Sequence, residues 1–231
     1  MKKLLKLVVI FFLILILFSV LVLGYLGFVP GVSALFGSNK PRDLGVRFTP
    51  EDLNKAQSKL GQAVVEPKSN PNQQFNSAQG NPVDATLTQE EYSAHVQQIH
   101  PVSDLQIKLS GSSFEISGRI DKSRIPQFVR TWGIANASDT EILNVVNKYL
   151  PVDPIFYISG TGGASNNKLT VDLTKAELGR MPVPTDQAEQ ILKLYTETLF
   201  NAVSGFSVED SNIQGGQLRF KGSAVKELPK Y

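Results

Sequence analysis

The sequence predicts an α+β protein: an N-terminal transmembrane helix, then a curved antiparallel sheet built from hairpins and packed around a long helix, with additional short helices. Three observations predict it. From Leu7 to Val29, Ser19 is the only clearly polar side chain. Beyond residue 100, apolar residues recur with period two in runs separated by Gly- and Asn-rich turns. From Ala188 to Val203 they recur at i, i+3, i+4 and i+7.

As a helix, the apolar stretch from Leu7 to Val29 is roughly 35 Å long, enough for a hydrocarbon core of about 30 Å. Lys2, Lys3 and Lys6 precede it and no acidic residue occurs before Asp43, so the positive-inside bias keeps the N-terminus cytoplasmic. The expectation is a single-pass anchor in the cell membrane with the C-terminal part outside. Val32-Ser33-Ala34 also has the small-residue pattern of a signal-peptide cleavage site, but the apolar stretch exceeds a usual signal-peptide core, which favours an uncleaved anchor.

Setting aside Lys2, Lys3 and Lys6 from 23 Lys and Arg leaves 20 against 21 Asp and Glu, a net charge of −1. A near-neutral exterior part offers no electrostatic footprint for nucleic acid. The chain has no cysteine, so disulfides, thiolate metal sites and cysteine nucleophiles are excluded and stability must come from burial. An exported domain without disulfides fits a bacterial envelope better than a eukaryotic secretory route.

The pattern divides the chain into an anchor (1–30), a juxtamembrane segment with a short helix (31–61), a flexible tether (62–86) and an extracytoplasmic domain (87–231). In the second segment, Thr49 as N-cap, Pro50 at N1, Asp52 at N3 and Gly61 as stop define a helix with Leu53, Ala56 and Leu60 on one face. The tether is rich in Asn, Gln, Ser, Pro and Gly, a composition that cannot bury enough apolar area to offset its ordering entropy.

Within the domain, Thr88 and Glu91 have capping-box spacing and start a helix that Pro101 ends. Leu105, Ile107 and Leu109, then Phe114 and Ile116 after Ser110-Gly111, predict a hairpin with one wet face. Two helices follow, one from Ser123 to Trp132 and one capped by Ser138 and Glu141 with Ile142, Val145, Val146 and Tyr149 as its stripe. A second hairpin pairs Ile155–Gly160 with 168–178 across a tip at 161–167. There Leu169, Val171 and Leu173 keep one phase and Ala176 and Leu178 the other, which predicts a bulge near Thr174-Lys175. The long helix begins after Pro184 with Thr185 as cap. A last hairpin around Gly215-Gly216 points Val208, Leu218 and Phe220 inward.

No motif specifies chemistry. His95 and His100 are five apart and share no helical face as a zinc pair would. The Gly160–Ser165 run lacks the last glycine of a dinucleotide fingerprint and reads as a hairpin tip. Ser165-Asn166-Asn167-Lys168 matches the bare Ser-x-x-Lys spacing without its companion motifs. Asp172 and Glu115 lie on polar strand faces with nothing to bring them together. The reading is therefore no enzyme, no catalytic residue, no cofactor and no metal. Phe114, Ile116, Phe156, Ile158, Val171, Leu173, Ile191, Tyr195, Leu199 and Phe220 remain, between sheet and long helix, either as a dry core or as the lining of a ligand site.

The run Leu178-Gly179-Arg180-Met181-Pro182-Val183-Pro184 leads straight into the long helix, and Phe220-Lys221-Gly222 lies in the last strand. With the anchor, the Leu87-Thr88-Gln89-Glu90-Glu91 helix start and Ile116-Ser117-Gly118, this order resembles the YpmS-like family of membrane-anchored extracytoplasmic bacterial proteins, and more loosely the tubular lipid-binding superfamily. The resemblance implies a curved sheet wrapping the helix around an apolar cavity that accepts acyl chains, formed by those ten residues. The functional expectation is a membrane-anchored module holding a lipid or other apolar ligand in the cell envelope. The alternative is a structural or interaction protein with a dry core and a protein partner.

Overall fold

The computed structural model describes residues 2–65, 80–135, 137–150 and 152–229, without the side chains of 2–9, 30 and 229. The fold is α+β: an antiparallel sheet with several helices.

Helix α1 (Lys2–Tyr25) is followed by the short α2 (Pro30–Leu35). Among the described residues no helix is both long and apolar enough to cross a membrane. Part of the stretch from Leu7 to Val29 lies outside that statement, because side chains in α1 are described only from Ile10, and the helix ends at Tyr25, short of Val29.

Local sequence rules set the next helices. Asp52 Oδ2 accepts from both the backbone N–H and the hydroxyl of Thr49 at 2.8 Å, opening α3 (Pro50–Leu60), and Gly61 stops it with φ +63°. The same reciprocal cap, Thr88 with Glu91, opens α4 (Gln89–Ile99). A single 3₁₀ turn precedes α5 (Ile125–Thr131), and Ser138 with Glu141 caps α6 (Asp139–Tyr149). Helix α7 (Thr185–Ala202) starts one residue earlier than expected, with Pro184 at the cap position.

The main sheet runs β2 (Gly80–Leu87), β9 (Gln217–Val225), β8 (Ser207–Gln214), β5 (Ile155–Ser165), β4 (Ser113–Ile120), β3 (Val102–Ser110). On the other edge of β5 lie β6 (Lys168–Leu178) and then the two-residue β7 (Met181–Pro182). The expected bulge is present: Ser159 pairs with Lys175 and Gly160 with Leu173, so Thr174 is the extra residue and Leu173 and Ala176 both face inward.

Several expectations are corrected. The run from Gly160 to Ser165 is strand, and the turn is only Asn166-Asn167, both with positive φ as a two-residue hairpin requires. The glycines are there for close approach: β5 pairs with β4 along its first part and with β8 at Gly163–Ser165, and a Cβ on Gly163 would sit 2.5 Å from Ser211 O.

The tether expectation fails at both ends, and its middle, 66–79, lies outside the described residues. Ala63–Val65 form β1, which runs parallel to β10 (Glu227–Pro229), and β2 pairs with β9 along its whole length. The alternation of Val83, Ala85 and Leu87 is the signal that the polar composition obscured.

The segment after α2 is also part of the domain. Val46, Ala56 and Leu60 are buried, and Arg42 is bonded across the sheet to Ser117 and Glu177. Helix α3 packs on α4 and β2, as its narrow stripe predicts for a helix that leans on another body.

The largest correction concerns α7. Its Ala188 and Leu192 pack on Val171, Leu173 and Ala176 of β6, and Glu189 Oε1 accepts from Leu173 N at 2.9 Å. Ala188 is its only buried residue. The helix lies on the sheet and is not wrapped by it.

Candidate functional site

Register decides which apolar residues can meet. Leu109 pairs with Phe114 and Ile107 with Ile116, while Phe114, Ile116 and Gly118 pair with Gly160, Ile158 and Phe156. Gly160 pairs in turn with Leu173 and Gly162 with Val171. Directly paired residues share a face, so Ile107, Leu109, Phe114, Ile116, Phe156, Ile158, Val171 and Leu173 form one apolar face across β3, β4, β5 and β6.

Helix α4 covers the β3 side of this face through Tyr92 and Val96, joined by Ile213 and Leu218 of the last hairpin. That hairpin folds over because its tip meets the first hairpin's tip, where Gly216 N donates to Gly111 O at 3.2 Å. Helix α7 covers the β6 side. Val171 and Leu173 are buried, whereas Phe114, Ile116, Phe156 and Ile158 between the two helices are only half-buried.

The other four residues expected at this site lie elsewhere. Phe220 belongs to a separate cluster with Ala56, Leu60, Ala85, Leu87 and Val208, on the pairs that β9 makes with β2 and β8. Leu199 packs with Phe128, Trp132, Val203, Val225 and Leu228. Tyr195 turns toward the end of α4, its hydroxyl 2.7 Å from His100 Nδ1 and its ring stacked on Phe128 at 6.4 Å. Ile191 points outward with 64 % of its surface exposed, beside Leu194 at 69 %. A helical repeat tells that α7 has an apolar stripe, and only tertiary packing tells how much of it is covered.

A similar uncovered stripe occurs on α6, where Ile142 is buried but Val145 and Tyr149 are largely exposed. Large exposed apolar side chains of this kind mark a contact surface more often than they mark a core.

A cleft of about 400 Å³ lies away from the sheet face, lined by Phe48, Thr49, Pro50, Leu53, Ala94, Gln97, Gln98 and Arg124. Its polar groups are engaged by the fold itself. Arg124 donates to the carbonyls of Val102, Gln97 and Gln98, and Gln97 Oε1 accepts from Leu105 N at 2.9 Å. Nothing in the sequence announced this cleft, since its lining comes from three separate stretches.

The polar candidates stay apart. His95 is buried in α4 and burial pushes its pKa down to about 4; burial, aided by His95 and Arg124, does the same to His100. Among the described residues no three His, Asp or Glu side chains converge as a metal site would require. Glu115 accepts from Tyr157 Oη at 2.8 Å and pairs with Lys108 at 3.4 Å, while Ser165 Oγ donates to Glu209 O.

Sequence reading missed one polar constellation. Arg42 Nη2 and Nε clamp the carboxylate of Glu177, the Arg42 guanidinium lies 4.4 Å over the Tyr157 ring, and Lys175 sits 3.0 Å from Glu177. Burial opposes the Glu177 charge, but Arg42 and Lys175 outweigh it and hold the carboxyl below its ordinary range. This arrangement is a staple and offers no unsatisfied group to a substrate. Comparison with known protein families, characterised proteins and solved structures finds no match to this chain.

Proposed function

We propose that the chain is a membrane-anchored extracytoplasmic interaction module of the cell envelope, which presents the outward face of α7 to a partner and performs no catalysis. The observation that carries the reading is the exposure of Ile191 and Leu194 on a helix whose only buried residue is Ala188. The anchor rests on α1, whose large apolar side chains from Ile10 to Phe18 are each about half exposed or more on every side. A helix apolar all round has no wet face to offer and fits hydrocarbon. The lysines at its start support an N-terminus in the cytoplasm with the sheet outside.

The test is photo-crosslinking in intact cells, with a benzophenone amino acid at Leu194 and, as control, at exposed Asp172 of β6. A discrete protein adduct from position 194 and none from 172 supports the reading. No adduct from 194 at full expression overturns it.

A second reading has its own observation. Phe114, Ile116, Phe156 and Ile158 share one face and keep part of their surface open, which suits an acyl chain laid between α4 and α7, as the likeness to YpmS-like and tubular lipid-binding proteins implies. Solvent extraction of the purified full chain decides it: a stoichiometric lipid supports this reading, and its absence removes it.

A further inference from the structure

We infer that Tyr25, Leu35, Phe36 and Met181 form a membrane-surface docking patch that seats the domain against the bilayer in one orientation. This deepens the anchored reading and rests on it. Leu35 is 83 % exposed and Met181 41 %, with Tyr25 and Phe36 about half exposed. Tyr25 and Phe36 meet edge to face with ring centroids 5.9 Å apart.

The patch exists because α2 folds back on the end of α1: Ser38 Oγ, itself buried, donates to Gly24 O at 2.8 Å and to Ser33 O at 3.2 Å. Met181 joins through the turn after β6, where Arg180 N donates to Leu26 O at 3.0 Å. Gly179 holds φ +64° in that turn, and any side chain there would strike Leu26 O.

No free joint separates α1 from the sheet. Within the residues that follow Leu26, Asn39 O accepts from Arg119 Nη2, Arg42 N donates to Ser117 Oγ at 2.7 Å, and the Arg42 side chain holds Glu177. A tether would let the domain turn; this elbow fixes it. From Leu7 to Tyr25, α1 makes a rod of about 29 Å, close to a hydrocarbon core of about 30 Å, so Tyr25 lies at its edge, next to the headgroups. Aromatic rings with cations beside them suit that depth, and Lys40 and Arg180 flank the patch, Arg180 Nη2 reaching Gly37 O at 3.5 Å. The occupant is the bilayer surface because the patch sits at the end of α1, whose large apolar side chains are exposed along the helix.

The absence of cysteine makes the test clean. Leu13→Cys, Leu35→Cys, Met181→Cys and Tyr149→Cys, each in the full chain, are labelled with a nitroxide in vesicles of phosphatidylcholine and phosphatidylglycerol. The ratio of collisions with oxygen to collisions with an aqueous nickel chelate is then read. At positions 35 and 181 the ratio should exceed that at 149 several-fold and approach that at 13. Equal ratios at 35, 181 and 149 with a lipid-like value at 13 overturn the docking patch and leave the anchor standing. An aqueous value at 13 overturns both, and low collision rates with both reagents at 35 and 181 mean a protein cover, which also overturns the patch.

Discussion

Arg42 and Glu177, 135 residues apart, are joined by guanidinium-to-carboxylate contacts of 2.6, 2.8 and 3.1 Å, with Glu177 only 8 % exposed. The pair ties the segment after α2 to β6. Arg42→Ala leaves a buried carboxylate with Lys175 alone, and the expected loss is about 2–3 kcal/mol near neutral pH. The folded-state pKa of Glu177 lies below its ordinary 4.5, so its contribution is present above that value and fades as pH falls through the lowered one. The gap between wild type and Arg42→Ala, measured by urea denaturation, should therefore narrow in acid, where both chains carry a neutral Glu177.

Gly160 and Gly215 separate two reasons for glycine. A Cβ on Gly160 would lie 2.9 Å from Leu173 Cα and closer still to Asp172 O, so β5 and β6 would have to part. At Gly215 the φ is +58° and nothing lies within 4 Å. Gly215→Ala should cost about 1 kcal/mol, from conformation alone. Gly160→Ala should cost more than twice that, and thermal melts of the two variants compare them directly.

What sequence could reveal follows the range of the forces involved. The caps at Thr49, Thr88 and Ser138 act within four residues, so their signature is complete in the sequence. The bulge at Thr174 is likewise written in the phase change between Leu173 and Ala176. Strand β2 was obscured because Asn81, Pro82 and Asp84 read as linker, and only the full-length pairing with β9 makes them a strand. Most of the candidate face was legible, since Phe114, Ile116, Phe156, Ile158, Val171 and Leu173 alternate within their own strands. The orientation of Ile191 was not, because an amphipathic repeat does not say where the neighbouring sheet ends.

If α7 lies on the sheet as an open helix, its two faces must differ sharply in what they contribute. Ile191→Ser and Leu194→Ser remove side chains already in water and should change stability by no more than about 0.5 kcal/mol each. Leu173→Ala, beneath the same helix, deletes buried volume and should cost about 2–5 kcal/mol. Equal losses at 191 and 173 in urea titrations would mean that α7 is enclosed and the interaction reading is wrong.

His95 makes the fold sensitive to mild acid. Burial, which penalises the charged ring, lowers its pKa from 6.5 to about 4. A base whose folded pKa is lowered stabilises the fold fully above its unfolded value, and that contribution is lost as pH falls from 6.5 toward 4. The unfolded chain takes up the proton first, so wild type should lose about 1 kcal/mol per lowered histidine between pH of roughly 6 and 5, on the order of one proton for each. Glu177, with its pKa already below 4.5, stays ionised through this window and does not confound it. His100 is held down to about 4 as well, by burial first and then by His95 and Arg124, so it titrates in the same window. His95→Leu keeps an apolar side chain in the slot and removes its share of the titration. Its stability between those two pH values, followed by urea denaturation, should fall about half as steeply as that of wild type, His100 supplying the rest; a slope as steep as that of wild type would place the acid sensitivity elsewhere.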